Sequence, residues 1–134
     1  MVITDLTVDI HERQIELTTS REQYAFPAGT PGVELRYLAS PSWAIQPFHI
    51  VLQPGARLDS LRHAGKEFIY CQQGRGILTV AGRDYSLQPG DTIYFPGGTD
   101  HTYANPGKQV THLLGGTMRA ASPCDDEPRP GQNS

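Results

Sequence analysis

Turn signals recur through the middle of this chain at intervals of roughly ten residues: QPGAR from position 53, AGK from 64, QGRG from 73, AGRD from 81, QPGD from 88, PGGTD from 96 and NPGK from 105. Glycine admits the left-handed backbone that tight turns use, and proline fixes φ and removes a donor, so each cluster ends whatever regular structure precedes it. What fits between such stops is a strand. No window of helical length shows a sustained i, i+3, i+4 apolar pattern, whereas VELRYLAS (33 to 40) sets Val33, Leu35 and Tyr37 against Glu34 and Arg36. PFHIVLQ sets Phe48, Ile50 and Leu52 against His49 and Val51 in the same way. Short alternating strands with regular turns predict an all-β domain, an antiparallel sandwich or barrel.

A chain of 134 residues suffices for one domain with a core of its own and not for two of ordinary size. The 11 basic and 14 acidic residues give a formal net charge of −3. No basic run exceeds two residues, so the electrostatic footprint of a nucleic-acid binder is missing. The opening MVITDLTVDIHERQIEL puts acidic residues where a secretory signal needs positive charge, and no apolar stretch reaches membrane-spanning length. The expectation is a cytoplasmic protein without a nucleic-acid or membrane partner. Cys71 sits in a strand-like run and Cys124 in a polar segment, which gives no disulfide framework and predicts reduced thiols.

The stretch LRHAGKEFIYCQQG (61 to 74) holds a histidine, a carboxylate and a cysteine. Gly65 breaks the helical reading of His63 and Glu67, and EFIYCQQ alternates, so a hairpin is expected, with His63 ending one strand and Glu67 opening the next. Flanking a tight turn, the imidazole and the carboxylate then face each other. Alternation puts Ile69 and Cys71 on the face of Glu67, and Phe68 and Tyr70 on the other. PGDTIYFPGGTDHTYAN predicts a strand from Asp91 to Phe95, a Pro-Gly-Gly turn and a further strand opening at His101. Two histidines and one carboxylate make the facial triad that holds Fe(II) and leaves positions open for substrate or dioxygen.

These segments resemble the two motifs of the cupin superfamily. The first runs from Gly55 through five residues to Leu61, Arg62 and His63, three more to Glu67 and six more to Gly74. The second runs from Gly90 through five residues to Pro96, Gly97 and Gly98, two more to His101 and three more to Asn105. One position departs from the pattern: Leu61 stands where the first motif has a histidine. The likeness extends to the cupin half of helix-turn-helix regulators, although the fifty or so residues before the first motif read as strands and not as a DNA-binding segment. The His63, Glu67 and His101 arrangement is also similar to the H-x-x-x-E…H triad of the cupin epoxidase that makes fosfomycin from 2-hydroxypropylphosphonate. The resemblance implies a jelly-roll β-barrel with its core in residues 46–118. It implies N-terminal strands within 1–45 that complete the barrel or a homodimer interface, and the polar, Pro-rich 119–134 is read as a disordered tail. It further implies a divalent metal, Fe(II) by preference with Mn, Ni or Zn as other choices, on His63, Glu67 and His101.

Several further residues carry two readings each. Leu61 is a barrel-lining residue or an opened coordination face for substrate; Cys71 is an inert buried thiol or a pocket residue. Tyr103 shares parity with His101 and either reaches the pocket as a donor and catalytic aid or is satisfied elsewhere. His49 and His112 lie in strands whose facing the pattern does not fix. Arg57 and Arg62 meet an anionic substrate at the barrel mouth or are solvated charges guarding an edge. Asn105, Gly97 and Gly98 read as turn residues. Two functions fit: a metalloenzyme of oxygenase, lyase, isomerase or cyclase type acting on a small polar substrate, or a non-catalytic module that binds a small-molecule ligand.

Overall fold

The computed structural model describes residues 15–27 and 29–118, with the backbone alone described for 24–27, 60 and 61. The expected tail at 119–134 and the side chain of Leu61 therefore lie outside the described residues. After a short 3-10 turn at Ser20–Glu22, ten strands follow in chain order. They are β1 (Tyr24–Pro27), β2 (Val33–Tyr37), β3 (Ile45–Leu52), β4 (Arg57–Leu61), β5 (Lys66–Gln73), β6 (Gly76–Val80), β7 (Arg83–Leu87), β8 (Thr92–Pro96), β9 (His101–Ala104) and β10 (Thr111–Met118). They form two antiparallel sheets, one ordered β1-β2-β3-β10-β5-β8 and the other β4-β9-β6-β7. Among the described residues no helix is long and apolar enough to cross a membrane.

The core lies between the sheets, and alternation delivers it. Phe48, Ile50 and Leu52 from β3, Ile69 and Cys71 from β5 and Leu113 from β10 meet Leu58, Leu78, Val80 and Tyr103 from the smaller sheet. Each buried aliphatic or aromatic side chain of this kind contributes roughly 1.5–3 kcal/mol, so the period-two pattern fixes which face of every strand turns inward. The AGRD turn closes a true hairpin between β6 and β7, with Ala81 at φ 52° and Gly82 at φ 81°, the paired positive values of a tight two-residue loop. Gly115 and Gly116 lie where β10 runs between β3 and β5. A Cβ on Gly115 would sit 2.7 Å from the Phe68 carbonyl oxygen and 2.7 Å from Cζ of Phe48.

The hairpin expected at 61 to 74 does not form. β4 pairs with β9 in the smaller sheet, whereas β5 pairs with β8 and β10 in the larger one. Residues 62–65 cross from one sheet to the other, and His63 lies in that link rather than at the end of a strand. The turn signal was real, since Gly65 has φ 88°. The strands on either side nevertheless part, because each buries its apolar face, Leu58 on β4 and Ile69 with Cys71 on β5, against the opposing sheet.

Candidate metal centre

Glu67 is the second residue of β5, His101 is the first of β9, and His63 hangs from the link between the sheets. Glu67 and His101 are 2% and 1% exposed, and His63, whose side chain is 29% exposed, is the member that meets solvent. One ligand atom from each lies within 4.8 Å of the other two. Nε2 of His101 is 3.5 Å from Oε1 of Glu67, and Nε2 of His63 contacts the same oxygen. The two imidazoles stand edge to face, with centroids 5.2 Å apart and planes at 86°.

The outer nitrogens decide the chemistry. Nδ1 of His101 donates to the Thr99 carbonyl at 2.7 Å, and Nδ1 of His63 donates to the Ala64 carbonyl at 3.1 Å. A carbonyl only accepts, so each ring keeps its proton on Nδ1 and turns an Nε2 lone pair toward Glu67. The Tyr103 hydroxyl donates to Oε2 of Glu67, which leaves Oε1 facing the two imidazoles. Three potential ligand atoms thus converge on one point, where a cation would be held. Two imidazole nitrogens and a carboxylate oxygen, each oriented by a second partner, are a fitting donor set for a divalent ion.

Burial alone would lower the His101 pKa, but the Glu67 carboxylate and the Thr99 carbonyl outweigh it and lift the group above the ordinary histidine value. Tyr103 is pushed well above the usual tyrosine value by burial and by the Glu67 charge, so it stays a donor. Phe95 packs edge-on against His101, with ring centroids 4.9 Å apart.

Gly97 contributes something the turn reading missed. Neither Gly97 nor Gly98 has a positive φ, so backbone freedom is not what either position needs. A Cβ on Gly97 would overlap the His63 imidazole, whereas one on Gly98 would meet nothing nearer than 3.9 Å. The same glycine accepts from the His63 backbone amide at 2.9 Å and donates to the Gly65 carbonyl at 2.8 Å, so the β8–β9 turn seats the link that carries His63. No sequence signal short of the sheet-to-sheet crossing would have shown this.

The remaining candidates scatter. The backbone of Leu61 is level with His101 across the β4–β9 ladder. Cys71 shares the buried face of Glu67 but lies four residues further along β5, its thiol directed at the Gly74 carbonyl at 3.5 Å and not at the cluster; burial raises its pKa. Arg57 pairs with Asp59, and Arg62 pairs with Asp100 at 2.6 Å, both on the surface. His49 and His112 project from the outer face of the larger sheet and contact each other. Asn105 is buried, and donates to the carbonyls of Leu52 at 2.9 Å and Gln109 at 2.8 Å while accepting from Gly107.

Parts of this chain are similar to known proteins. The MmsAB operon regulatory protein of Pseudomonas aeruginosa is 37% identical over 44% of this chain and 22% of its own length. An uncharacterized protein of Methanocaldococcus jannaschii is 33% identical over 39% of this chain and 42% of its own. The chain thus spans less than half the length of the curated relatives it matches. Among solved structures, the cupin domain of an XRE family transcriptional regulator from Enterobacter cloacae superposes with a TM-score of 0.61 at 24% identity, covering 65% of this chain and 96% of that one. A predicted oxalate decarboxylase from Thermotoga maritima superposes with a TM-score of 0.65 at 23% identity, covering 78% and 99%. At these identities the likeness shows the fold, a two-sheet cupin barrel. The Cupin domain family model matches residues 48–115, just over half of the 134 residues, and with the two-motif spacing and the barrel around it the chain belongs to the cupin family.

Proposed function

We propose that this protein is a cupin metalloenzyme built on one divalent ion held by Nε2 of His63, Nε2 of His101 and Oε1 of Glu67, acting on a small polar substrate. The observation that supports it is the convergence of three potential ligand atoms on side chains whose other polar atoms are already taken, by the Ala64 and Thr99 carbonyls and by the Tyr103 hydroxyl. Two imidazoles and one carboxylate favour Fe(II), with Mn, Ni and Zn able to use the same donors. A bound ion supplies Lewis acidity and open coordination positions. The chain supplies the rest. Tyr103 holds Glu67 in one orientation, backbone carbonyls fix both imidazoles, and the apolar core that includes Phe95 excludes water. A substrate reaches the centre past the partly exposed His63, since Glu67 and His101 are closed off.

A second reading is favoured by the regulator among the relatives: a module that binds a small ligand at the same centre and signals without turnover. Metal content tests the shared part. Purified protein loaded anaerobically with Fe(II) is expected to retain about one ion per chain, and His63→Ala with His101→Ala to lose it while staying folded. Stoichiometric metal in the double variant would overturn the centre. Oxygen uptake or conversion of a substrate by the loaded protein separates enzyme from sensor, for which binding saturates and nothing is consumed.

A further inference from the structure

The connection between β2 and β3 walls a cavity at one end of the barrel. Tyr37 closes β2, the chain then passes through Ala39 and Pro41, and Gln46 follows on β3; these four residues line a space of about 290 Å³. The walls are tied to one another. The Leu38 amide donates to the Pro47 carbonyl at 3.0 Å, the Trp43 amide to the Ser40 carbonyl at 3.2 Å, and Nε2 of Gln46 to the Ala39 carbonyl at 2.8 Å. The cavity is thus formed without a ligand, and its volume stands at the small end of ligand pockets, which run from roughly 300 to 1,000 Å³.

Register places this cavity beside the metal centre. Glu67 is level with Thr117 on β10, and Thr117 is level with Gln46 on β3. Each shares parity with a buried residue of its strand, Ile69, Leu113 and Phe48 in turn, so the three form one row across the inner face of the larger sheet. Strands lie about 4.8 Å apart, which sets the backbone of Gln46 roughly 10 Å from that of Glu67. The adjoining row is Tyr37, Phe48, Gly115 and Ile69. Tyr37 is near enough to Tyr103 to help raise its pKa, and Tyr103 is the donor to Glu67. Cavity and centre therefore share one end of the barrel, with Thr117 between them and Tyr37 common to both.

The lining defines what fits. Tyr37, Ala39 and Pro41 present an aromatic ring, a methyl group and a pyrrolidine, and no charged side chain takes part. A carbonyl only accepts, so Gln46 turns its nitrogen to Ala39 and keeps Oε1 as an acceptor. We propose that this cavity is the specificity pocket of the metal centre. It takes the uncharged, apolar body of a substrate whose polar head meets the ion, with a neutral O–H or N–H donor on that body bonded to Gln46 Oε1. The pocket rests on the centre proposed above, and the two are tested apart. p-Cresol, an apolar ring with one hydroxyl, is titrated into full-length metal-free protein and followed by amide chemical shifts. Saturable binding centred on Tyr37, Ala39 and Gln46 is expected, with toluene about 5-fold weaker for want of the donor. Ala39→Leu fills the space and weakens p-cresol by about 10-fold or more. Gln46→Met removes the acceptor and the preference over toluene, and replaces Ala39→Leu if circular dichroism shows that variant unfolded. No saturable binding, or binding that neither substitution alters, would overturn the pocket. In Zn(II)-loaded protein, 4-hydroxyphenylacetate, which joins the same ring to a carboxylate head, is expected to bind about 10-fold or more tightly than p-cresol or acetate. Equal affinities would break the link between pocket and ion. Protein that binds p-cresol yet retains no zinc would overturn the centre and leave the pocket unattached to it.

Discussion

Gly97 is a glycine because an imidazole occupies the space a side chain would fill. Its backbone is in a region open to any residue, so Gly97→Ala acts through His63 alone. The variant is expected to fold and to bind Fe(II) about 10–100-fold more weakly, whereas Gly98→Ala, with room for its methyl, keeps wild-type affinity; competition with a chromophoric chelator measures both. Tyr103→Phe preserves the packed ring and strips the hydrogen bond from a buried carboxylate, at an expected cost of about 1–3 kcal/mol in urea unfolding of the metal-free protein. An unchanged midpoint would show that Glu67 does not depend on it. The trio of His63, Glu67 and His101 was legible from the two-motif spacing, although the hairpin expected to bring His63 to Glu67 does not form, and Tyr103 was legible by parity with His101. The contact between Gly97 and His63 was not, because 34 residues separate them and only the crossing link brings them together. His49 and His112 likewise meet only once β10 is laid against β3.

Elements show the same divide between local and distant information. Alternation in β3 and β5 and the AGRD turn are local, and the sequence displays them openly. Which strand pairs with which is settled by burial across the core, and the stretch around Gly65 illustrates the difference: a genuine turn, followed by a strand that joins the other sheet. Asn105, read from sequence as a turn residue, turns out to join three segments. Its side chain ties the end of β3 to the 107–109 turn, and its backbone exchanges hydrogen bonds with Gly55 and Ala56 at 3.0 Å each. Asn105→Ala leaves two carbonyls and an amide without their partner in a dry site, and is expected to cost about 2–4 kcal/mol. Denaturant unfolding measures it, and a loss below about 1 kcal/mol would mean that water replaces the side chain.

At the scale of the molecule, His49 on the outer face gives stability a pH dependence. Above pH 6.5 His49 is neutral both folded and unfolded and contributes no slope. Below it the unfolded chain takes up a proton that burial, His112 and Arg36 resist in the folded one, so stability falls as pH drops from 6.5 to the depressed folded-state value and then levels. Thermal unfolding of metal-free wild type and His49→Gln between about pH 7.5 and 5 should differ by this fall, the variant losing less stability as pH drops; an identical profile in the variant would remove His49 as the cause. The larger sheet has one more consequence, which follows from its order. The strand at its middle, β10, is the last in the chain among those described, and it fills the gap between β3 and β5. On the ribosome those two strands emerge with their facing edges bare, and stay so until residues 111–118 are made. The sheet is therefore completed from its centre once residues 111–118 have been made, and not strand by strand from one edge.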